Sequence, residues 1–385
     1  MTILFIHTYY KDRGGEDIVV EKEQELMQDA GCSVESLNFS NKTFTFLKFL
    51  FAPFNPISFY KVYKKIRLTK PDIVHLHNWS FAASPSVIWA VRINKIPLVH
   101  TLHNFRIICP SATLSYNQKV YTDSIQSYFP WKAIRRRVYK NSLFSTFWMT
   151  VCTRLHHLIG TWKKVDCYIA LTNQTKFIFE NSYLVLPASR IIAKPNFVTA
   201  RTTPFGVENR GNHFLYVGRL SEEKGISTLL KAFVNTHHKI QIIGDGPMRS
   251  LVESYASDHK NIIYLGYKVK DEIETALARC TALVFPSICI ETFGMSIIEA
   301  FSTGTPVIAT NIGSAIDLVQ DGFNGLHFCA GDEEDLKNKL AAWSMLDNTQ
   351  KEVFYFNSFL TYKKNYTASS NSQQLYSIYS SIKKK

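Results

Sequence analysis

The sequence has few of the features that mark secreted, fibrous or membrane-spanning proteins. Its seven cysteines are scattered and include no CxxC pair, so they indicate neither a disulfide framework nor a zinc site. With only 17 Gly and 13 Pro and no low-complexity tract, collagen-like, coiled-coil and disordered chains are excluded. No run reaches the roughly 20 apolar residues that span a bilayer, and the N-terminus lacks a signal peptide's basic start. We expect a globular protein of the reducing cytosol.

Acidic residues are scarce in one half of the chain. Lys and Arg number 44 against 31 acids, a formal net charge of +13. Residues 1–195 hold 25 bases and 12 acids, whereas residues 196–385 hold 19 of each. This asymmetry predicts an anionic partner for the N-terminal half, either nucleic acid or an acidic membrane surface.

Two stretches contain no acid at all, and both interleave bases with aromatic residues. Between Glu35 and Asp72 these are Lys42, Lys48, Lys61, Lys64, Lys65, Arg67 and Lys70, with Phe44, Phe46, Phe49, Phe51, Phe54, Phe59, Tyr60 and Tyr63. Between Asp123 and Asp166 they are Lys132, Arg135, Arg136, Arg137, Lys140, Arg154, Lys163 and Lys164, with Trp131, Trp148 and Trp162. This composition favours an anionic membrane interface over nucleic acid, for which no binding motif is present. The alternative is a pair of amphipathic helices whose aromatic residues are core.

Short β-branched or aromatic runs alternate with segments of helical period, which is typical of parallel sheets crossed over by helices. Each half contains about six such runs, enough for a doubly wound α/β sheet of its own. The predicted strands are Ile3–His7, Val34–Phe39, Asp72–His77, Leu98–His103, Cys167–Leu171, Ile191–Lys194, Phe214–Val217, Lys239–Ile243, Ile262–Leu265, Ala282–Phe285, Val307–Ala309 and Leu326–Phe328. A polar linker after Pro195 predicts two domains, 1–195 and 196–385, with a ligand site in the cleft between them.

The most informative motif of the C-terminal half is a strand, a loop and a helix over 285–300. We expect the helix to begin near Met295, where its N-terminus would suit a phosphate. Glu299, predicted in the first helical turn, could accept hydrogen bonds from two ribose hydroxyls. Glu291 on the loop could accept one from a second sugar. The alternative is a capping box formed by Ser296 and Glu299, which needs no ligand.

A second motif follows the first strand of that half. Arg219 and Lys224 lie five residues apart on a loop that contains Gly218, and two such cations could converge on a diphosphate. Gly244 and Gly246 follow the next strand and add a third loop to the same sheet edge. The alternative is a solvated loop in which Glu222 and Glu223 pair with the two bases.

In the N-terminal half, Gly14 and Gly15 follow the first strand and could let backbone N–H groups approach a phosphate or sugar. A plain strand–helix turn is the alternative. Histidines cluster as His75 and His77, and as His100 and His103, at the ends of predicted strands. With no third ligand at metal spacing we expect no metal, and we expect His103 to hydrogen-bond a sugar hydroxyl. A satisfied core histidine is the default for His75 and His100.

Taken together and in this order, these motifs resemble those of the family-four retaining glycosyltransferases of the GT-B fold, over nearly the whole chain. The segment from Glu291 to Glu299 resembles that family's Glu, seven residues, Glu motif. The family implies two Rossmann-like domains that face each other across a cleft. One departure is that the segment Val120–Ser124 contains no cysteine, whereas a subset of the family carries a pair of cysteines in this region. Another is the polar tail from Tyr366, where the family's closing helix is only weakly recognisable.

The resemblance implies a role for each motif residue. Glu299 would bind the donor ribose, Glu291 the transferred sugar and Arg219 with Lys224 the diphosphate, while His103 would contact the sugar near the reacting carbon. Backbone groups would come from Phe293, Gly294 and Met295. The catalytic set expected is therefore His103, Arg219, Lys224 and Glu291. The donor-binding set expected is Gly14, Gly15, Gly218, Gly244, Gly246, Phe293, Gly294, Met295 and Glu299.

We therefore predict a retaining, metal-independent hexosyltransferase without cofactor that moves a sugar from a nucleotide-diphosphate-sugar to a lipid-linked or oligosaccharide acceptor. The expected setting is polysaccharide synthesis at the inner face of the plasma membrane, on an anionic surface and without nucleic acid. Two alternatives stay open. One is a nucleotide-sugar epimerase or phosphorylase of similar architecture, and the other is a non-catalytic basic adaptor for membrane or RNA.

Overall fold

The structure is a computed structural model that describes residues 1–10, 14–42, 46–117, 119–199 and 206–383. Within these ranges the strands are β1 (Thr2–Tyr9), β2 (Ser33–Ser40), β3 (Ile73–Leu76), β4 (Leu98–Leu102), β5 (Ser115–Tyr116), β6 (Lys119–Val120), β7 (Cys167–Ala170), β8 (Ile191–Ala193), β9 (His213–Val217), β10 (Lys239–Ile243), β11 (Ile262–Gly266), β12 (Ala282–Phe285), β13 (Val307–Thr310) and β14 (Gly325–Phe328).

The α-helices of the same ranges are α1 (Gly15–Asp29), α2 (Phe46–Leu50), α3 (Pro56–Thr69), α4 (Ser86–Ile93), α5 (Asp123–Gln126), α6 (Trp131–Arg135), α7 (Leu143–Leu158), α8 (Asn173–Glu180), α9 (Ile226–Phe233), α10 (Arg249–Asp258), α11 (Lys270–Arg279), α12 (Met295–Ser302), α13 (Ser314–Leu318), α14 (Glu333–Met345), α15 (Asn348–Asn365) and α16 (Ala368–Lys383). Short 3₁₀ turns lie at Trp162–Lys164, Ala188–Arg190, Val207–Asn209 and Glu222–Lys224. None of the described helices is long and apolar enough to cross a membrane.

The chain divides into two compact units. The first comprises Met1–Leu114, Tyr121–Asn196 and Ser369–Lys385, and the second comprises Ser115–Val120 and Phe197–Ala368. The main division therefore falls one residue after the predicted boundary at 195. The last seventeen residues, which the predicted domains assigned to the C-terminal domain, group with the first unit instead.

Each unit is built on a parallel sheet. In the first unit the described strand order is β2-β1-β3-β4-β7-β8, and in the second it is β11-β10-β9-β12-β13-β14. All pairings in both sheets are parallel. The central strands β3, β4, β7, β12 and β13 are buried along their whole length, as expected for strands with helices on both faces. These sheets confirm the doubly wound α/β prediction, and all twelve predicted strands are present to within two residues at either end.

The final helix, α16, forms part of the core of the first unit. Its buried apolar residues Leu375, Ile378, Tyr379 and Ile382 occupy positions i, i+3, i+4 and i+7 and so lie on one face of the helix. That face packs in the same cluster as Ile3 and Phe5 of β1. The tail that was only weakly recognisable in the sequence therefore contains a well-formed helix, which packs against the sheet of the first unit.

Candidate functional site

In the second unit, the predicted motifs lie where the strand order reverses. The chain moves outward from β9 to β10 and β11 on one side, and from β12 to β13 and β14 on the other. The loops that leave β9 and β12 therefore diverge, which opens a crevice at the carboxyl edge of the sheet. The loop after β9 carries Arg219 and Lys224, and the loop after β12 carries Glu291.

Lys224 and Glu291 form an ion pair across this edge. The Lys224 Nζ lies 2.7 Å from Glu291 Oε2, and the two side chains are 29% and 13% exposed. Burial disfavours the ammonium, but the Glu291 carboxylate outweighs that effect and holds the pKa of Lys224 above its usual value. Glu223 instead accepts a hydrogen bond from the Ser221 hydroxyl at 2.7 Å. Among the described residues, the ion-pair partner of Lys224 is thus Glu291 and not Glu222 or Glu223, which the alternative expected.

The second oxygen of Glu291 lacks a hydrogen-bond donor. Oε1 is buried and has no hydrogen-bond partner among the described residues. Below it, Tyr216 donates its hydroxyl to the Arg219 carbonyl at 2.8 Å, and burial followed by the Glu291 charge raises its pKa well above the usual value. An ionised carboxylate normally accepts several hydrogen bonds, so Glu291 has unused capacity for a ligand hydroxyl.

The helix α12 begins at Met295, as predicted, and Gly294 occupies its N-cap position without a side-chain cap. Ser296 is thus the second helical residue, so the alternative of a Ser296 capping box is wrong. Glu299 is the fifth helical residue and lies in the second turn, not the first. It is half-buried, on the same helix whose N-terminus follows the Glu291 loop. The Phe293 side chain is buried and packs edge-on against Tyr366, with ring centres 6.4 Å apart.

The glycines of the neighbouring loops are explained by close packing of backbone on backbone. At Gly244 a Cβ would lie 1.8 Å from the Gly218 carbonyl oxygen, and at Gly246 it would lie 2.5 Å from that of Leu220. The amides of Gly218, Gly244 and Gly246 already donate to Ile243 O, Gly266 O and Asp245 Oδ1. Gly244 and Gly246 therefore shape the loops, and the structure uses the N–H groups of all three glycines internally. Arg219 is exposed on the same loop.

In the first unit, histidines gather at the carboxyl ends of β1, β3 and β4. His77 Nδ1 and His103 Nε2 are 2.9 Å apart, and the rings of His75 and His77 lie 4.1 Å apart on one face, as the strand alternation predicts. His75 bonds Tyr379 OH and Thr101 Oγ1 through its two nitrogens, each at 2.7 Å. It is therefore a satisfied core histidine. His103 is half-buried just beyond the end of β4.

Gly14 and Gly15 differ from the glycines of the second unit. A Cβ on either would meet no atom within 4 Å, so the packing of the described residues does not require glycine there. Gly14 caps α1, and its N–H donates to Asp17 Oδ2 at 2.9 Å, while Asp17 Oδ1 lies 2.7 Å from His7 Nε2. Next to them, burial and then the Asp17 charge raise the pKa of Glu16 to about 8, so Glu16 keeps its proton at neutral pH.

Sequence reasoning missed two buried charged residues of the first unit. Lys194 Nζ lies 2.6 Å from Glu23 Oε1, and both side chains are almost fully buried. Glu23, His75 and His77 lie at metal-ligand distances from one another. However, Lys194 already neutralises Glu23, and both His75 nitrogens have hydrogen-bond partners outside the group. Glu23 Oε2 and His77 Nε2 lie 3.6 Å apart and have no hydrogen-bond partner among the described residues. The signal for Glu23 was its place on the buried stripe of α1 with Val19, Val20 and Met27.

Comparisons with known proteins define the class. The structure is similar to that of HepE of Anabaena, solved in complex with UDP and glucose, with a TM-score of 0.70 and 18% identity. The superposition covers 99% of this chain and 100% of HepE. At that identity the likeness shows the fold, which is the GT-B fold of glycosyltransferases. The model described as Glycosyltransferase Family 4 matches residues 33–201, and that described as Glycosyl transferases group 1 matches residues 203–355. The chain belongs to glycosyltransferase family 4, which confirms the resemblance.

Curated relatives support the same family. An uncharacterized glycosyltransferase of Methanocaldococcus jannaschii is 34% identical over 131 residues, which are 34% of this chain and 37% of the relative. The alpha-monoglucosyldiacylglycerol synthase of Acholeplasma laidlawii is 27% identical over 294 residues, which are 73% of this chain and 69% of that protein. The first three relatives are matched over only 37%, 42% and 32% of their own lengths.

Proposed function

We propose that this protein is a retaining glycosyltransferase that moves a sugar from a nucleotide-diphosphate-sugar to a hydroxyl of a lipid-linked saccharide in cell-surface polysaccharide synthesis. The second unit binds the donor, and the first unit binds the acceptor and supplies His103. The observation that carries the proposal is the ion pair of Lys224 and Glu291 at the switch point of the second sheet. Glu291 Oε1 is buried there, and no described residue donates a hydrogen bond to it.

The chemistry of the pair fits the two halves of such a donor. Lys224 and the exposed Arg219 supply fixed positive charge for a diphosphate, which gains negative charge as the bond to the sugar breaks. The N-terminus of α12 adds its dipole to the same effect. Glu291 accepts a hydrogen bond from the transferred sugar, and Glu299 accepts one from the ribose. Because fixed cations stabilise the leaving group, the reaction needs neither a metal ion nor a cofactor in this proposal.

The family relationship supports retention of the anomeric configuration. The UDP and glucose named for HepE support a nucleotide-linked donor, and the monoglucosyldiacylglycerol synthase supports an acceptor held at a lipid surface. An epimerase or a phosphorylase needs an acid/base pair or a further anion site, and no observation favours either. The same holds for a non-catalytic adaptor.

We further propose that the first unit binds the cytoplasmic face of an anionic membrane. Exposed apolar side chains of α2, α7 and their neighbours form a surface that we call the aromatic face. Its members are Leu47, Leu50, Phe51, Trp131, Leu143, Phe144 and Phe147. Phe49 connects the α2 and α7 parts of this surface. Its ring centre lies 6.1 Å from that of Phe144, and its carbonyl oxygen accepts a hydrogen bond from Trp148 Nε1. Phe129 similarly links Trp131 and Phe147, at 4.6 and 6.3 Å.

Charge complementarity supports an anionic bilayer as the partner of the aromatic face. Five exposed bases lie on or just after α6, beside Trp131. They are Lys132, Arg135, Arg136, Arg137 and Lys140. Aromatic rings at headgroup depth with cations toward anionic lipid are the usual arrangement of a peripheral membrane surface. Phe49 and Trp162 are buried instead, so the alternative of core aromatics applies to them.

A thermal-shift screen across nucleotide-diphosphate-sugars tests the donor site. A ligand at about 100 times its Kd stabilises the folded state by about 2.7 kcal/mol, which raises the melting temperature by several degrees. In Lys224→Ala the stabilisation should fall to about 0.4–1.4 kcal/mol at the same concentration, since a charged hydrogen bond is worth about 1.5–3 kcal/mol, or about ten- to a hundredfold in Kd. Glu299→Ala should behave alike.

Lys268→Ala is the matched control for the donor screen. Lys268 also pairs with an acid, Glu272 at 2.9 Å, but the pair is exposed and lies away from the switch point. It should keep the full shift. A nucleotide-sugar shift of equal size in the parent and in Lys224→Ala would contradict the donor assignment.

A further inference from the structure

The loop after β4 carries a buried arginine, Arg106, whose guanidinium is only partly used. Arg106 is 8% exposed, and its Nε and Nη1 are buried without a hydrogen-bond partner among the described residues. The loop itself is fixed, because the Arg106 amide donates to Asn104 Oδ1 at 3.0 Å and Asn104 Nδ2 donates to Tyr10 OH at 3.3 Å. Nε and Nη1 carry three N–H groups, so a buried cation is held here with three donors to spare.

A second unused donor lines the same cavity. Asn78 is 4% exposed, and its Oδ1 accepts hydrogen bonds from the Ser80 amide at 2.9 Å and from the Ser80 hydroxyl at 2.8 Å. These bonds fix the orientation of the Asn78 amide, since the opposite orientation would turn its NH₂ toward the Ser80 N–H. Asn78 Nδ2 is buried and has no hydrogen-bond partner among the described residues. Asn78 and Arg106 both line one small cavity, with room for about one oxygen-sized group.

The ionisable groups around Arg106 do not neutralise its charge. Those with the largest effect on the pKa of Arg106 are Tyr10, Tyr139 and Glu16. Burial raises the pKa of Tyr10 to about 12 and also raises that of Tyr139, and burial followed by the Asp17 charge raises the pKa of Glu16 to about 8. All three groups therefore keep their protons at neutral pH. A buried charge is costly unless it is paired, so an anion at Arg106 would gain an interaction that these neighbours do not provide.

We propose that Arg106 and Asn78 form an anion site in the first unit, which holds a phosphoryl oxygen of the acceptor. One such oxygen can accept hydrogen bonds from both side chains, and arginine binds phosphate through strong charge-assisted hydrogen bonds. The size of the cavity admits this oxygen while the rest of a larger molecule stays outside. The assignment of the phosphate to the acceptor rests on the proposed function, in which it belongs to the diphosphate of a lipid-linked saccharide. The anion site itself does not.

The whole protein labelled with ¹⁵N-arginine reports on this site separately from the donor site. The Nε–H signal of Arg106 is assigned by its loss in Arg106→Met. Titration with inorganic phosphate should shift this signal downfield and to saturation, whereas sodium chloride of the same ionic strength should leave it in place. An unmoved signal is the result expected if only ordered water fills the cavity, and it would overturn the proposal. An equal shift with sodium acetate would overturn the choice of phosphate.

Arg154 is an internal control for the effect of burial alone. It is 3% exposed, and its Nε and Nη1 likewise lack a hydrogen-bond partner among the described residues. Its guanidinium, however, lies 3.4 Å from the centre of the Tyr183 ring, and its Nη2 donates to the Ser127 carbonyl at 3.0 Å, so it is held within the packing around α7. The Arg154 signal should not move. Equal shifts of both arginines would show a general effect on buried guanidinium groups and would contradict a specific site.

The stability of Arg106→Met separates a ligand site from a structural arginine. Methionine keeps an unbranched apolar stem but removes the buried charge. Without phosphate in the buffer, the melting temperature of this variant should equal or exceed that of the parent, because the cost of the unpaired charge disappears. A fall of several degrees would show that Arg106 stabilises the fold by itself and would overturn the proposal.

Transfer assays test the link to the acceptor. Arg106→Met should raise the acceptor KM about tenfold or more and leave the donor KM unchanged, because a charged hydrogen bond is lost. The same saccharide without its diphosphate should be an equally poor acceptor for the parent and the variant. Arg67→Met is the matched control, since Arg67 is exposed on α3, and it should keep both KM values.

The two parts of the proposal fail in different ways. An unchanged acceptor KM in a folded Arg106→Met protein would overturn the assignment of the phosphate to the acceptor. If the Arg106 signal responds to phosphate as expected but no sugar is transferred, the anion site stands and the proposed function fails.

Discussion

At the scale of single residues, Glu16 and Asp17 show how two adjacent carboxyl groups come to differ. Asp17 is fully buried, but it has two partners, His7 Nε2 at 2.7 Å and the Gly14 N–H at 2.9 Å. Glu16 has a buried oxygen, Oε1, without a hydrogen-bond partner among the described residues. Burial and the neighbouring Asp17 charge therefore raise the pKa of Glu16 to about 8.

The raised pKa of Glu16 predicts a pH dependence of stability. The usual pKa of a glutamic acid is about 4.3 in an unfolded chain, so between about pH 5 and 8 the folded state binds the extra proton. The free energy of unfolding should then fall as pH rises through this window. Glu16→Gln keeps the shape of the protonated acid but cannot ionise. Urea titrations at pH 5, 6, 7 and 8 should show a steeper loss for the parent, and parallel profiles would contradict the assignment.

Which residues could be read from the sequence depended on how local their partners are. Lys224 and Glu291 stood out because each follows a predicted strand at a loop that leads into a helix or turn. Lys194 and Glu23 did not, because they meet across 171 positions of the chain. The Ser296 capping box was a false local signal: the N-cap position is Gly294, two residues before Ser296, which is already helical.

At the scale of elements, the strands were predictable and the last helix was not. Fully buried parallel strands are continuous apolar runs, which stand out from their polar surroundings. In α16 the apolar residues are diluted by Ser, Asn and Gln, and the strand they cover, β1, lies at the other end of the chain. The packing that stabilises this helix is therefore absent from its local sequence.

The loop after β9 gives a prediction at the same scale. Gly225 has a positive φ of 73°, and a Cβ there would lie 1.9 Å from the carbonyl oxygen of Pro286 in the loop that leads to Glu291. Gly225→Ala should lower the free energy of unfolding by about 1–2 kcal/mol, because alanine is strained in the left-handed region. Overpacking against Pro286 should lower it further, by about 1–3 kcal/mol. Denaturant unfolding measures the loss.

Gly266→Ala separates these two contributions. Gly266 has nearly the same φ, 72°, but a Cβ there meets nothing within 4 Å. Only the strain of alanine at a positive φ should remain in Gly266→Ala, so this variant should be clearly more stable than Gly225→Ala. Equal destabilisation by the two substitutions would show that the loops after β9 and β12 do not pack as described.

At the scale of the whole molecule, the net charge of +13 resides in residues 1–195, and this part of the chain also carries the aromatic face. We predict binding to anionic vesicles at low salt, with about 1 kcal/mol for each base held near the surface. Because that attraction is screened over about 8 Å at physiological ionic strength, binding should weaken as salt rises. Insertion of the aromatic face should leave a part of the binding that salt does not remove.

Co-sedimentation with anionic and neutral vesicles across a salt series measures both parts. Replacing Leu47 and Phe144 by Asn should remove the salt-resistant part. The matched control replaces Val353 and Phe356, which are similarly exposed at 55% and 66% but lie in the second unit. If the parent protein stays in the supernatant equally with anionic and neutral vesicles at low salt, the proposal that the aromatic face binds membranes is contradicted.

The central claim is sugar transfer from a nucleotide-diphosphate-sugar, and mass spectrometry of the products tests it most directly. The protein is incubated with each donor that raises its melting temperature and with membrane lipids bearing diphosphate-linked saccharides. We predict a lipid-linked product that is one sugar longer, formed with an equal amount of nucleoside diphosphate, abolished by Lys224→Ala and kept by Lys268→Ala. Recovery of an epimerised nucleotide-sugar or a free sugar phosphate, without any new glycoside, would contradict the account.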